Sequence, residues 1–314
     1  VLSRTADHLY WMARYTERAE NLARMLDVNR RMTLLRQDVD AVAGRWVSTL
    51  SIVGQLESFE SARGPVDEDA AIAWIAFDRT NPGSIYQCLA LARENAHAVR
   101  GTLTSEAWET LNATWLEVRR HVAGDPLPPG EFFEWVKFRS HLARGVIEGT
   151  MLRDEALYFT RLGTHLERAD NTARILDSQF RLPDGGAADT DSAVDYYEWS
   201  ALLRSVSAFE IYRKVYSDLI TPRRVAELLI LRDAMPRSLL RCMTAVHETL
   251  RVVANDRSDE TLRRAGEVHA SLLFGRVDDV LEAGVHEYLG RFLGRIGDLG
   301  DRIAHDFLVS SPAG

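Results

Sequence analysis

The sequence predicts an all-α protein, an internally duplicated helical bundle with pseudo-two-fold related halves. Three observations point there. Apolar residues recur at helical spacing along the 314 residues, and Val, Ile, Thr and aromatic residues never gather into alternating runs bounded by tight turns. Short polar breaks rich in Pro, Gly, Asn and Asp divide the periodic stretches. One segment occurs twice: Glu17–Asp27 (ERAENLARMLD) and Glu167–Asp177 (ERADNTARILD) agree at eight of eleven positions at an offset of 150.

The breaks are read in chain order. Ser61–Asp69 is a polar loop. Asp78–Ser84 holds Asn-Pro-Gly, a turn followed by a helix start. Ala123–Gly130 stops a helix with its prolines, and Arg181–Ser192 is the longest connector. Asn255–Asp259 and glycines 284, 290, 294, 297 and 300 punctuate the end of the chain. Roughly ten to twelve helices fit between these breaks. The last of them is the weakest, because each interior glycine costs about 1 kcal/mol relative to alanine.

The repeat extends beyond the eleven-residue segment. Trp46 pairs with Trp199, Leu50 with Leu203, Glu57 with Glu210 and Phe59 with Tyr212. Pro82, Ser84 and Cys88 then pair with Pro236, Ser238 and Cys242, and Glu94 with Glu248. The order is the same in both halves and the offset grows only from 150 to 154. Residues 1–150 and 151–314 are therefore read as two copies of one helical unit. Beyond Glu248 the copies do not align by sequence. Val146–Phe159 reads straight through as helix, so the copies are expected to pack as one body about a pseudo-two-fold axis.

Composition limits the function. The net charge is −8, which argues against nucleic acid as a partner. No apolar run approaches the length of a membrane span, and Arg4, Asp7, His8 and Arg14 interrupt any signal-peptide pattern, so a cytoplasmic protein is expected. Lys137 and Lys214 are the only lysines among 38 basic residues. Either coding bias explains this, or some arginines make bidentate contacts that lysine does not reproduce. Two cysteines, Cys88 and Cys242, are too few for a zinc site and read as small buried hydrophobes.

On a helical wheel, Trp11, Tyr15, Ala19, Leu22 and Leu26 share one face, and Glu17, Asn21 and Arg24 lie opposite, with Arg18 between the faces. Glu167, Arg168, Asn171 and Arg174 repeat the arrangement. Three readings stay open: a buried polar network paired across to another helix, a ligand or partner site, and a solvated face. Both copies keep the same polar residues, and asparagine is a poor choice for an exposed helix interior, which disfavours the third.

The opening Leu2–Tyr15 (LSRTADHLYWMARY), the Glu17-Arg18-Ala19-Glu20-Asn21 string, the Asn81-Pro82-Gly83-Ser84-Ile85 turn, the Ala92-Arg93-Glu94-Asn95-Ala96 string and the second Glu167-Arg168 motif together resemble the Alpha-E family. This is a bacterial all-α family named for its helices and Glu-Arg motif. The resemblance covers essentially the whole chain. It implies an accessory or scaffolding role in a peptide synthesis or modification system. The implied partners are a circularly permuted ATP-grasp protein, which forms amides, a transglutaminase-like peptidase and sometimes an NTN-hydrolase-type peptidase, with a peptide as ligand. The family offers no established catalytic residues. The second copy departs from the pattern, with His247-Glu248-Thr249 where the first has Arg93-Glu94-Asn95. Any role of that helix is therefore expected to be asymmetric.

The remaining chemistry is sparse. Neither phosphate-binding glycine motif occurs. Glu94 and His97 are the single Glu-x-x-His pair, and Arg251 occupies the repeat position of His97, so neither a metal nor a cofactor is expected. The binding candidates are Glu17, Arg18, Asn21, Arg24, Glu167, Arg168, Asn171 and Arg174, with Arg93, Glu94 and Asn95 secondary. The alternative to an accessory subunit is an autonomous enzyme or anion-binding protein using the Glu-Arg helices between the two copies, with Glu17 or Glu167 as general base.

Overall fold

The structure, a computed structural model, describes residues 1–34, 39–124, 126–180 and 193–308. The expected Arg181–Ser192 connector lies outside the described residues. Among the described residues there are fifteen α-helices, two π-helical turns and no strand. The chain forms two compact units, Trp11–Leu152, and Val1–Tyr10 with Arg153–Gly314. Among the described residues, no helix is long and apolar enough to cross a membrane.

The first unit (11–152) takes α1 (Ser3–Thr33) from Trp11 onward. It continues through α2 (Val39–Ile52), α3 (Leu56–Arg63), α4 (Glu68–Ile72) running into π1 (Ala73–Phe77), α5 (Ile85–Ala98), α6 (Ser105–Ala123) and α7 (Pro129–Thr150). The second unit (1–10 and 153–314) holds α8 (Glu155–Phe180), α9 (Ala193–Ser205), α10 (Phe209–Tyr216), α11 (Pro222–Ala226) running into π2 (Glu227–Leu231), α12 (Leu239–Val252), α13 (Asp259–Leu273), α14 (Val277–Glu282) and α15 (Val285–Phe307). Helix count exceeds the sequence expectation because α3, α4, α10, α11 and α14 are eight residues or shorter, too brief to show a period. The polar stretch 61–69 shrinks accordingly to the residues between α3 and α4.

Helix starts follow capping chemistry. Asp67, Ser84, Thr104, Thr221 and Ser238 each accept a hydrogen bond from the backbone N–H three residues on, at 2.9–3.3 Å. These bonds satisfy donors that the helix leaves unpaired. The ends of α2 and α9 close alike. Gln55 N–H donates to Leu50 O (2.8 Å) and Gly54 N–H to Ser51 O (3.0 Å); Ala208 N–H donates to Leu203 O (2.7 Å) and Ser207 N–H to Arg204 O (3.1 Å). This is the Schellman closure, which needs a positive φ at its penultimate residue. Gly54 supplies it at φ 69°, whereas Ser207 adopts φ 55° with a side chain present.

The α5–α6 and α12–α13 hairpins bury the same positions. Ile85, Cys88, Leu89, Ala92 and Ala96 of α5 and Ala107, Leu111, Thr114 and Val118 of α6 are buried. So are the residues 154 further on: Leu239, Cys242, Met243, Val246 and Leu250, then Thr261, Ala265, Val268 and Leu272. In the second unit α8 packs on α12 and α15, and α12 also packs on α13.

One sequence expectation changes, and the expected last helix holds despite its glycines. The helix expected to run through 146–159 breaks at 151–154. Asp154 there accepts from Ala156 N–H (3.0 Å) and starts a new helix, while Met151 is extended (ψ 145°). The glycine-rich end is one continuous helix, α15. Val285, Leu289, Phe292, Ile296, Leu299, Ile303 and Phe307 form a buried stripe along it. Burying such side chains, at about 1.5–3 kcal/mol each, outweighs a few glycines at about 1 kcal/mol each. Of its glycines only Gly284, before the first turn, has a positive φ (78°).

Replacing Ser207 by glycine removes the clash of a Cβ with its own backbone. Ser207→Gly should raise the urea midpoint by the equivalent of about 0.5–1 kcal/mol. An unchanged or lowered midpoint would show that the serine side chain compensates for the strained turn.

Candidate functional site

The polar face of α1 is not open. Within the first unit it forms an antiparallel ladder with α7. Glu17, Glu20, Arg24, Asp27 and Arg31 recur at intervals of 3, 4, 3 and 4 residues, and Glu134, Lys137, His141 and Arg144 recur at 3, 4 and 3. These intervals keep each set on one side of its helix. Glu17 and Glu20 are 1% and 0% exposed. The Arg144 guanidinium donates from Nη2 to Glu17 Oε2 (2.8 Å) and to Glu20 Oε2. Arg24 Nη2 donates to Glu20 Oε1 (2.7 Å), and the His141 ring lies 3.4 Å from Arg24 and 3.3 Å from Arg144.

One step further along, Asp27 accepts from Lys137 Nζ and Arg31 Nε, both at 2.9 Å, and Glu134 accepts from Lys137 (2.7 Å) and Arg31 (3.1 Å). Burial pushes the Asp27 carboxyl up, but the bonds from Lys137 and Arg31 outweigh it and hold the group below the ordinary carboxylate value. Asn21 is buried on the same helix. Arg18 stacks over the Tyr15 ring at 5.8 Å, and Arg14 over Trp11 at 5.2 Å.

The second unit treats the equivalent residues differently. Glu167 and Arg168 are buried, and Asn171 is half-buried. Arg174 turns to Asp170 on its own helix, at 2.7 and 3.1 Å, and is largely exposed. Asp177, the counterpart of Asp27, meets His286 of α15 at 2.5 Å where the first unit uses Lys137. At the α15 level corresponding to Arg144, the sequence reads Phe292-Leu293-Gly294. The structure thus brings Glu17 and Arg24 together through Glu20 and Arg144, and it places Arg174 on Asp170 of its own helix.

Among the secondary candidates, Arg93 donates to Asn112 Oδ1 (3.2 Å) and to Glu94 (2.7 Å), and it stacks over Trp108. Asn95 bonds back to Leu91 O (2.8 Å). His97 faces the Trp108 ring. Cys88 and Cys242 are buried free thiols. Among the described residues no group of three or more His, Cys, Asp or Glu converges as a metal site would need.

The turn before α5 is tied by side chains. Asn81 Nδ2 donates to Gln55 Oε1 (2.8 Å) and Trp74 O (3.0 Å), and its Oδ1 accepts from Gly83 N–H (2.9 Å). A Cβ on Gly83 would meet the Gln55 amide. Asp78 opens the turn. Burial raises its carboxyl, but bonds from Thr80, Arg63 and the backbone bring it down to about 2.

Sequence reasoning missed Glu20, Asp27, Lys137, His141 and Arg144 as one set. The signal was the 3, 4, 3 spacing on α7, which matches that on α1. A groove of about 570 Å³ along α10 also went unread; it is lined by Glu210, Arg213, Lys214, Ser217 and Asp218. It mixes both signs of charge, and none of the Glu-Arg residues lines it.

The Alpha-E family model, described as "a predicted alpha-helical domain with a conserved ER motif", matches residues 1–308. The chain is also similar to an uncharacterized protein of Mycobacterium bovis and to uncharacterized proteins of two Mycobacterium tuberculosis strains. Each is 26% identical over 259 residues, covering 76% of this chain and 28% of the relative. The chain therefore spans little more than a quarter of the length of the curated relatives it matches. No solved structure matches it.

Removing Arg144 would take a shared cation away from two buried carboxylates, Glu17 and Glu20, while Glu20 keeps its bond from Arg24. Arg144→Met should lower unfolding stability by about 2–4 kcal/mol, somewhat less than for a fully buried pair because the guanidinium is partly exposed. The same change in a Glu17→Gln/Glu20→Gln background should cost far less. Equal losses in both backgrounds, read from chemical denaturation, would refute the coupling. Asp27 adds a pH signature. Its folded pKa lies below the unfolded value of about 3.9, so its contribution is present above that pH and is lost as pH falls through the folded value. Asp27→Asn should be less stable than wild type at neutral pH, and the difference should shrink below about pH 4. A constant difference across that window would exclude the pairing.

Proposed function

The chain belongs to the Alpha-E family, and from that premise we propose that it is an accessory or scaffolding component of a bacterial peptide synthesis or modification system. It works in the cytoplasm with a circularly permuted ATP-grasp amide ligase and a transglutaminase-like peptidase, and its ligand is a peptide or the partner enzyme itself. The observation that carries this reading is the length of the relatives. The similar segment occupies 28% of each mycobacterial protein, so there it is joined to a much longer polypeptide.

The chain's own resources point the same way. Its sequence has no glycine-rich phosphate loop and only two lysines, so nucleotide chemistry falls to the partner. In the first unit Glu17 and Glu20 pair with Arg144 of α7, and Arg24 pairs with Glu20 on α1; these contacts help fix the two long helices against each other. Partner contact then falls to the outward sides of those helices.

The reading includes duplication, with residues 1–150 and 151–314 as the two copies. Four features recur in order in both units and support it: the long Glu-Arg helix, the Schellman turn at Gly54 and Ser207, the π-helical turns 154 residues apart, and the Ser-capped hairpins.

A tagged pull-down from the native host at low salt, read by mass spectrometry, tests the assignment. Recovery of an ATP-grasp protein in near-stoichiometric amount is expected. Recovery of no protein but of a tightly held anionic metabolite would replace the accessory reading with an autonomous anion-binding protein.

A further inference from the structure

The α5–α6 hairpin carries a strip of arginines and aromatic rings that its packing does not require. Trp108 lies between two guanidiniums, Arg93 at 5.3 Å and Arg100 at 5.4 Å, with the His97 ring at 5.6 Å. Two helical turns along α6, Trp115 packs on Tyr86 at 5.1 Å; Arg79 stacks on that tyrosine at 5.3 Å and Arg119 on that tryptophan at 6.0 Å. Arg79, Arg100 and Arg119 are exposed, and the three rings are half-exposed.

The second unit builds the same hairpin without the tryptophans and the stacked arginines, keeping only a stacked pair of rings, His247 and His269 at 5.2 Å. At the positions 154 further on stand Asp233 for Arg79, Leu240 for Tyr86, His247 for Arg93, Ala254 for Arg100, Leu262 for Trp108, His269 for Trp115 and Leu273 for Arg119. Nine buried positions coincide in the two hairpins, and of the strip positions only that of Tyr86 is a core position in the second unit, as Leu240, so the fold does not demand the arginines and tryptophans of the strip.

We infer that this strip is a docking surface for an acidic, extended polypeptide segment. The charge is complementary: four guanidiniums line the strip, and among the described residues the carboxylate pairing with them is Glu94, on Arg93. Glu106 and Glu109 stand on the neighbouring flank of α6, and Glu117 is held by Trp135 and by Arg139. A guanidinium stacked on a ring keeps its in-plane N–H groups outward, pre-set for a forked contact with a carboxylate. The spacing also fits. Trp108 and Trp115 are seven residues apart, about 10.5 Å along a helix. That is close to three residues of an extended polyproline-II chain at about 3.1 Å each, whose three-residue turn brings every third side chain back to the same face. A segment with carboxylates every third residue would meet both clusters.

The inference is independent of which enzyme the chain assists, and the purified chain alone tests it. The probe is a fluorescein-labelled decaglutamate peptide followed by fluorescence anisotropy. Wild type should bind saturably and lose affinity as salt rises. Arg100→Glu/Arg119→Glu should bind at least about tenfold more weakly, with an unchanged melting curve, since both side chains are exposed. Arg263→Glu/Arg291→Glu changes net charge equally on the second unit and should bind like wild type. The inference fails if wild type shows no saturable binding, if both charge-matched variants lose affinity alike, or if a single-stranded oligonucleotide of equal charge binds more tightly.

Discussion

Two carboxylates with almost no solvent exposure, Glu17 and Glu20, lie within one turn of the same helix. Left alone, either would make the first unit untenable, because an unpaired buried charge costs several kcal/mol. Arg144 answers both at once from α7, and Arg24 answers Glu20 from below. The consequence is registry. A shift of α7 along α1 by one turn would separate Arg144 from Glu17 and Lys137 from Asp27 together, so the ladder admits one alignment of the two helices. A wholly apolar seam would hold them as firmly and tolerate slippage. Buried ion pairs serve such alignment better than they serve net stability.

This bears on the Glu-Arg motif. The glutamate of the first copy is spent on α7, and its neighbour Arg18 lies against Tyr15. In the second unit the described pairs differ. Asp177 and His286 keep the lower rung, while at the upper level Asp170 finds its arginine on its own helix and α15 offers Leu293 and Gly294. Glu17 is almost without solvent exposure and is held in an ion pair across to α7, which suits a structural anchor better than a reacting group. That is why the proposed function rests on partners and not on a glutamate base.

Much of the fold was legible in the sequence, and the gaps have physical causes. The long helices showed because an amphipathic stripe repeats several times along them. The five short helices did not, because five to eight residues contain scarcely two turns. α15 read as doubtful because its glycines are conspicuous while its stripe of seven buried residues is spread over 23 positions. The break at 151–154 was hidden because helical residues flank it on both sides and a single aspartate, Asp154, restarts the helix. At the candidate site the face of α1 was visible, including Glu17 and Arg24. Its partners were not, since Arg144 lies 127 residues from Glu17 and nothing local announces a pairing at that distance.

The two hairpins show where divergence was permitted. Sequence comparison lost the correspondence after Glu248, yet the buried positions stay in step through Leu272. Core positions are held by volume, which many residue pairs satisfy: Leu111 against Ala265, Thr114 against Val268. Turn positions are held by a mutual fit. Gly83 sits beside Gln55 and Asn81 in the first unit, whereas Arg237, Ala208 and Met235 occupy the corresponding places in the second. A larger residue enters at one position as a smaller one appears at another. Surface positions are held by neither constraint. One unit nevertheless carries exposed arginines and half-exposed tryptophans along a seam where the other carries leucine, alanine and histidine, and only at Tyr86, opposite the buried Leu240, does packing account for the difference. What distinguishes the units on their outer faces is therefore a better guide to the protein's partners than what they share.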